Sequence, residues 1–276
     1  MSIALLLTRP EPADLAVEYW PAMTLAHAAN GRPVVDVDNA DTWPQALADL
    51  IYSIADETEL DEPDLYVDLD LEDREAQVLD LLRGHLLRAQ HGTRLLDHEA
   101  DAIRAQGLRP LDVALVDDRL NQAHERGCLT DAEREVLRSQ SMVVPARQKL
   151  GNREGQVCLT LSAEATSHDI NGVWRLLSFW GGEAIYWQHC DDHAGVAHKL
   201  RSLGRPALVT AYVDLASPGR HLVFKSVVHT FVGKAIGYTP ANADVLYRNP
   251  IPPQHIESIA FPGDPAYDRL AGLPTA

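Results

Sequence analysis

The chain has 276 residues and a net charge of −16 at pH 7, so it is long enough to bury a substantial core. No apolar run approaches the roughly 20 residues that span a bilayer, and no basic residues precede the N-terminal apolar stretch as they would in a secretion signal. The three cysteines form no CxxC pair, so the sequence predicts a cytoplasmic globular protein without a disulfide framework.

The negative charge is concentrated in the first third of the chain. Residues 1–88 contain 5 basic and 19 acidic residues, a balance of −14, whereas residues 89–276 contain 19 and 21, a balance of −2. Eleven of the acidic residues lie between Asp56 and Glu75. Such a run is usually a solvated surface, and the alternative is an acidic arm that docks on a basic partner or on the protein's own site.

The first half of the chain has mainly helical patterns. Apolar residues at helical spacing predict helices, a stretch of alternating residues predicts a strand, and a capping signal marks the start of one helix. Helices are predicted over residues 11–30, 43–55, 72–87, 97–106, 111–126 and 131–139, the last with a Thr130–Glu133 capping box, and strands over 65–71 and up to His91-Gly92-Thr93.

From Gly155 onward the pattern changes to short β-rich segments. The predicted strands are 156–162, 206–215, 221–231 and 255–261, with a helix over 192–203 that ends at Gly204. The sequence therefore predicts an α+β fold. An acidic, mostly helical segment, residues 1–84, precedes a main domain over residues 85–276.

Three short segments contain the candidate functional residues. They are His91-Gly92-Thr93-Arg94, then Trp180-Gly181-Gly182-Glu183-Ala184-Ile185-Tyr186, and finally Asp244-Val245-Leu246-Tyr247 with Ile251-Pro252-Pro253-Gln254-His255-Ile256-Glu257. Each segment alone is explained by ordinary structure: a strand histidine, core aromatics beside a bulge, and surface carboxylates.

Taken in this order, the three segments resemble the H-Y-E group of ADP-ribosyltransferases over about residues 85–262. The matching features are a His-Gly-Thr strand followed by a helix that ends in Gly107-Leu108, a glycine-rich turn before an Ile185-Tyr186 strand, and an acidic residue that opens a strand before Ile-Pro-Pro. The resemblance implies a split β-sheet domain that uses NAD as substrate and transfers ADP-ribose to a macromolecule. It also implies a bacterial toxin or defence effector, which could have an antitoxin or inhibitor as partner.

The resemblance assigns the catalytic roles residue by residue. Asp244 is expected to accept a hydrogen bond from the ribose and to stabilise the oxocarbenium-like charge that develops as nicotinamide leaves. The family usually has Glu at this position, so Glu257 is the alternate. Tyr186 is expected to stack on the nicotinamide ring, with Trp180 or Trp187 as the substitute.

The first segment is expected to bind the rest of the dinucleotide. His91 would contact the adenosine ribose, the backbone of Gly92 the carboxamide, and Arg94 the pyrophosphate, with Thr93 between them. On net charge, a protein acceptor is favoured over nucleic acid.

Other functions remain open from the sequence. The chain has no GxGxxG after a strand, no GxxxxGK[ST] and no GxSxG, and the cluster His189-Cys190-Asp191-Asp192-His193 lacks a completing metal motif, so no metal is expected. An NAD glycohydrolase that uses the same site is one alternative. The other is a non-catalytic acidic interaction protein.

Overall fold

The computed structural model describes residues 31–57, 72–143, 153–167, 172–189, 195–217, 221–223, 227–238, 243–270 and 272–275. The strands are β1 (Val34–Val35), β2 (Leu86–Leu95), β3 (Val157–Thr160), β4 (Arg205–Val213), β5 (Leu222–Val223), β6 (Asp244–Tyr247) and β7 (Ile256–Ala260). The helices are α1 (Gln45–Glu57), α2 (Glu72–Leu81), α3 (Asp97–Gln106), α4 (Val113–Glu125), α5 (Asp131–Gln140), α6 (Val173–Ser178), α7 (Glu183–Tyr186), α8 (Val196–Ser202), α9 (Val227–Ala235) and α10 (Pro265–Asp268).

The described strands form one sheet in the order β5-β6-β3-β2-β4-β7, and β1 also pairs with β2. The β1–β2 pairing is parallel and the other pairings are antiparallel. The predicted α+β class is confirmed at this level. No helix among the described residues has the length and apolar character needed to cross a membrane.

Strand β2 is central, and its two neighbours pair with it to very different extents. Nine residue pairs join it to β4, whereas a single pair, Gln90 opposite Thr160, joins it to β3. The antiparallel ladder between β2 and β3 therefore stops just before His91. This interruption lies beside the cavity described below.

The described residues of the first third pack on the same core as the sheet. Val35, Ile51 and Val78 belong to one buried cluster with Val209 and Phe231. Burial of these apolar side chains attaches α1 and α2 to α9 and to the sheet. The expected boundary at residue 84 stays a prediction.

Several predicted elements are found and others are wrong. The capping box at Thr130 forms, since its hydroxyl accepts from the Glu133 backbone and the Glu133 carboxylate accepts from the Thr130 backbone. The helix expected over 72–87 ends at Leu81, and the strand expected over 221–231 is instead the short β5 followed by α9. The elements expected over 11–30 and 65–71 lie outside the described residues.

Candidate functional site

A cavity of about 340 Å³ lies between the sheet and the helices α3 and α4. This volume is within the usual range of small-molecule sites. The polar residues that line it come from β2, β3, β6, the helices and their connections. They are Gln90, His91, Thr93, Glu99, Gln106, Arg109, Asp118, Arg119, Gln122, Arg153, Gln156, Cys158, Thr160, Glu183 and Asp244.

His91 lies at the interruption between β2 and β3. Its Nδ1 is 2.7 Å from the carbonyl oxygen of Cys158. A carbonyl only accepts, so Nδ1 carries the proton, and the neutral ring keeps a lone pair on Nε2. Burial lowers the pKa of His91, the hydrogen bond with Cys158 opposes this shift, and the charge of Arg119 adds to it. The imidazole is therefore a neutral hydrogen-bond acceptor at neutral pH.

Asp244 is the first residue of β6, opposite Thr160 of β3. Burial raises the pKa of its carboxyl to about 6, although the nearby charge of Arg153 opposes this shift and that of Glu183 adds to it. Arg153 Nε donates to Glu183 Oε2 at 3.1 Å. The carboxylate of Asp244 is thus a partly buried anion with one arginine and one glutamate close enough to change its pKa.

Residues from two of the three predicted sequence segments therefore share one cavity. His91 and Asp244 come from the first and third sequence segments, and both line it, as do Gly92 and Thr93.

Tyr186 is not part of the cavity wall. The segment predicted as an Ile-Tyr strand is helix α7, and Tyr186 is fully buried with its ring stacked on Phe179 at 5.2 Å. Because no part of the ring is accessible, it cannot stack on a ligand in this conformation. The stacking position expected for Tyr186 is therefore wrong for this structure.

Trp180, the expected substitute, is also fully buried. Its Nε1 donates to Glu99 Oε2 at 2.8 Å, and the Arg119 guanidinium carbon lies 5.1 Å from the centre of its ring. Trp180 thus supports two cavity residues from behind and does not itself reach the cavity.

Arg94 also points away from the cavity. It is buried, with Nε donating to the Leu203 carbonyl at 2.6 Å and Nη1 to the Leu177 carbonyl at 3.4 Å. Its guanidinium joins β2 to α6 and to the residue that follows α8, so the pyrophosphate role expected for Arg94 does not fit its position. Packing also accounts for a glycine at position 92, because a Cβ there would lie 2.6 Å from a methyl carbon of Val173.

Glu257 lies on β7, at the other edge of the sheet. Its carboxylate accepts from Arg88 Nε at 2.7 Å and from Arg88 Nη2 at 3.1 Å, and it is not among the residues that line the cavity. This bidentate pair holds the Glu257 carboxylate against Arg88 of β2. Asp244 is therefore the better of the two candidate acids.

Sequence reasoning missed several residues of the cavity wall, above all Arg119, Arg153 and Cys158. For Cys158 a signal was present. In the run 156–160 apolar and other residues alternate, so Gln156, Cys158 and Thr160 share one face of β3. For the two arginines no local pattern distinguishes them from other arginines of the chain.

Comparisons of the chain with protein-family models, with curated proteins and with solved structures found no match. Among the described residues, no group of three or more His, Cys, Asp or Glu side chains could hold a metal ion. The alternative metal cluster at 189–193 extends into residues outside that set.

Proposed function

We propose that this chain is an NAD-dependent ADP-ribosyltransferase that cleaves the nicotinamide–ribose bond of NAD in the cavity and transfers ADP-ribose to a macromolecular acceptor. One observation carries the proposal: His91 and Asp244, predicted from separate sequence segments, line the same cavity. A split-sheet transferase fold and a cytoplasmic location belong to the same proposal.

Asp244 is the group that stabilises the transition state in this proposal. Loss of nicotinamide builds positive charge on the ribose. A carboxylate that accepts a hydrogen bond from the ribose lowers the energy of that charge, and it does so more strongly where water is excluded. Asp244 is partly buried, and with a pKa of about 6 it is mostly ionised at neutral pH.

His91 contributes binding rather than charge. Because Nδ1 donates to Cys158, only a donor can pair with Nε2. A phosphate oxygen would present a second lone pair and be disfavoured, whereas a ribose hydroxyl is a suitable donor. The tautomer of His91 therefore supports a sugar as its partner.

The proposed site departs from the resemblance in one respect. Among the described residues that line the cavity there is no Phe, Tyr or Trp. The proposal therefore includes no stacking of nicotinamide on Tyr186. Instead, the reacting ribose is oriented by its hydroxyl contact with Asp244, and His91 holds the adenosine ribose.

The test is incubation of the purified chain with NAD labelled in the adenylate half, together with a cell extract. The proposal predicts nicotinamide release and label on a macromolecule, with both lost in Asp244→Asn. Label on protein or on nucleic acid would identify the acceptor class. NAD consumption without macromolecular label would indicate a glycohydrolase, and no consumption at all would leave a binding protein as the function.

A further inference from the structure

An arginine that the sequence analysis did not single out lies in the cavity wall. Arg119 of α4 lines the cavity, and its side chain is 19% exposed. Its Nε donates to Glu99 Oε1 at 2.6 Å, and Nη2 makes only a long contact of 3.5 Å with the Arg94 carbonyl. Nη1 donates to no atom in the part of the chain that the structure describes.

The orientation of Arg119 is set by a buried carboxylate. Glu99 is 8% exposed, and its second oxygen accepts from the Leu96 backbone and from Trp180 Nε1, both at 2.8 Å. Burial disfavours the charge of Glu99, but Arg119 and the other donors hold its pKa below the usual value. With three donors and the Trp180 ring beside it, this ion pair has little freedom to rotate.

The charged groups of the wall form two sets on different elements. Asp244 opens β6 and the Arg153–Glu183 pair joins the residues before β3 to α7, whereas Arg119 of α4 pairs with Glu99 of α3. Near Arg119 the wall also contains Asp118, which pairs with Arg109 at 2.9 Å. Each carboxylate in this second set is thus matched by a guanidinium, so an incoming anion meets no unpaired negative charge there.

We propose that Arg119, positioned by Glu99 and Trp180, binds the diphosphate of NAD, so that the dinucleotide lies with its phosphates at the α3–α4 wall and its nicotinamide ribose at Asp244. This inference rests on the proposed function. A guanidinium offers paired N–H donors that match phosphate oxygens, and phosphate oxygens only accept. Arg119 thereby takes the role that the sequence suggested for Arg94.

The test compares ligands with and without phosphate. Arg119→Lys keeps the charge beside Glu99 but loses the paired donors. We expect its affinity for ADP-ribose, measured by calorimetry, to be about 10-fold lower or more. Cleavage of nicotinamide riboside, which has no phosphate, should stay within about 2-fold of wild type. Arg138→Lys is the matched control, because the exposed Arg138 of α5 pairs with Asp117 outside the cavity.

Glu99 is tested as a positioning residue. Glu99→Gln should raise KM for NAD with little change in kcat, and should leave nicotinamide riboside cleavage unchanged. The double variant E99Q/R119Q removes both charges together and so avoids a buried unpaired ion. It should lose ADP-ribose binding while its melting temperature stays near that of the wild type.

The outcomes separate this inference from the proposed function. Wild-type affinity for ADP-ribose in Arg119→Lys and in the double variant would overturn the diphosphate site, even if the wild type cleaves NAD. ADP-ribose binding that depends on Arg119 without any NAD cleavage would support the site and overturn the proposed function. A wild-type chain that binds neither NAD nor ADP-ribose would overturn both.

Discussion

Nδ1 of His91 lies 2.7 Å from the carbonyl oxygen of Cys158, where the β2–β3 ladder ends. With Gln90 opposite Thr160, a continued ladder would place Gly92 opposite Cys158. The imidazole pairs with this carbonyl in place of a backbone N–H, so one side chain both replaces the next ladder hydrogen bond and fixes its own tautomer. The same hydrogen bond therefore underlies both the structural role of His91 and its proposed role as an acceptor for a ribose hydroxyl.

The first prediction concerns His91. His91→Ala removes the acceptor for the ribose hydroxyl, and we expect kcat/KM for nicotinamide release to fall about 10-fold or more, the worth of one hydrogen bond in a protected site. Thermal melting should show a modest loss, because the Cys158 carbonyl loses its partner. Unchanged kcat/KM in a folded variant would exclude His91 from the site.

The second prediction is that Asp244→Asn abolishes activity but stabilises the fold above neutral pH. The pKa of Asp244 is raised from 3.8 to about 6, so the folded state favours the protonated carboxyl. The stability gained from this protonated form is full below about pH 3.8 and is lost as the pH rises through about 6. At pH 8 the buried charge therefore costs up to about 3 kcal/mol. Asn recovers that energy while abolishing nicotinamide release.

Urea unfolding of the wild type and of Asp244→Asn tests this prediction. The variant should be the more stable protein at pH 8, and the two should converge near pH 4. A destabilised variant at pH 8 would mean that the carboxylate makes favourable contacts, contrary to the raised pKa.

The third prediction uses the two charges beside Asp244. The charge of Arg153 lowers the pKa of Asp244 and that of Glu183 raises it. If the Asp244 carboxylate must be ionised, activity falls as the pH drops through its pKa. Arg153→Gln should therefore move this acidic limb of kcat/KM to higher pH, and Glu183→Gln should move it to lower pH. Shifts in the same direction, or none, would show that another group controls the limb.

The fourth prediction separates Glu257 from the site. Glu257→Gln breaks the largely buried pair with Arg88, which should lower the free energy of unfolding by about 3 kcal/mol. Nicotinamide release per folded molecule should match the wild type, because Glu257 lies outside the cavity. Loss of nicotinamide release in the folded fraction would indicate that Glu257 is a catalytic acid after all.

Local signals predicted the elements whose ends are determined locally. The capping box at Thr130 and the glycine stop at Gly204 act within a few residues, and the start of α5 and the end of α8 are found close to their predicted positions. Helix α9 is different. Its first N–H groups, at Val227 and Val228, are capped by the carboxylate of Glu75, 3.0 and 3.1 Å away and far back in the chain. Since its β-branched residues favour a strand, only this distant cap and the packing make it a helix.

The site was predictable to a similar extent. Short motifs marked His91 and Asp244 in the sequence, and both residues line the cavity. His91 lies on a strand, where successive side chains point to opposite faces. The same alternation explains the error at Arg94. It lies three positions from His91 in β2, so the two side chains point to opposite faces of the sheet, and only one can face the cavity. Arg119 becomes distinctive only through Glu99 and Trp180, which no sequence spacing connects.

The central claim is that one NAD molecule contacts both His91 and Asp244. The crystal structure of Asp244→Asn with NAD tests it most directly, because this variant should bind the dinucleotide without cleaving it. We expect NAD in the cavity, with hydroxyls of its riboses hydrogen-bonded to residue 244 and to Nε2 of His91. NAD bound elsewhere on the molecule, or in the cavity with its riboses remote from both residues, would contradict the claim.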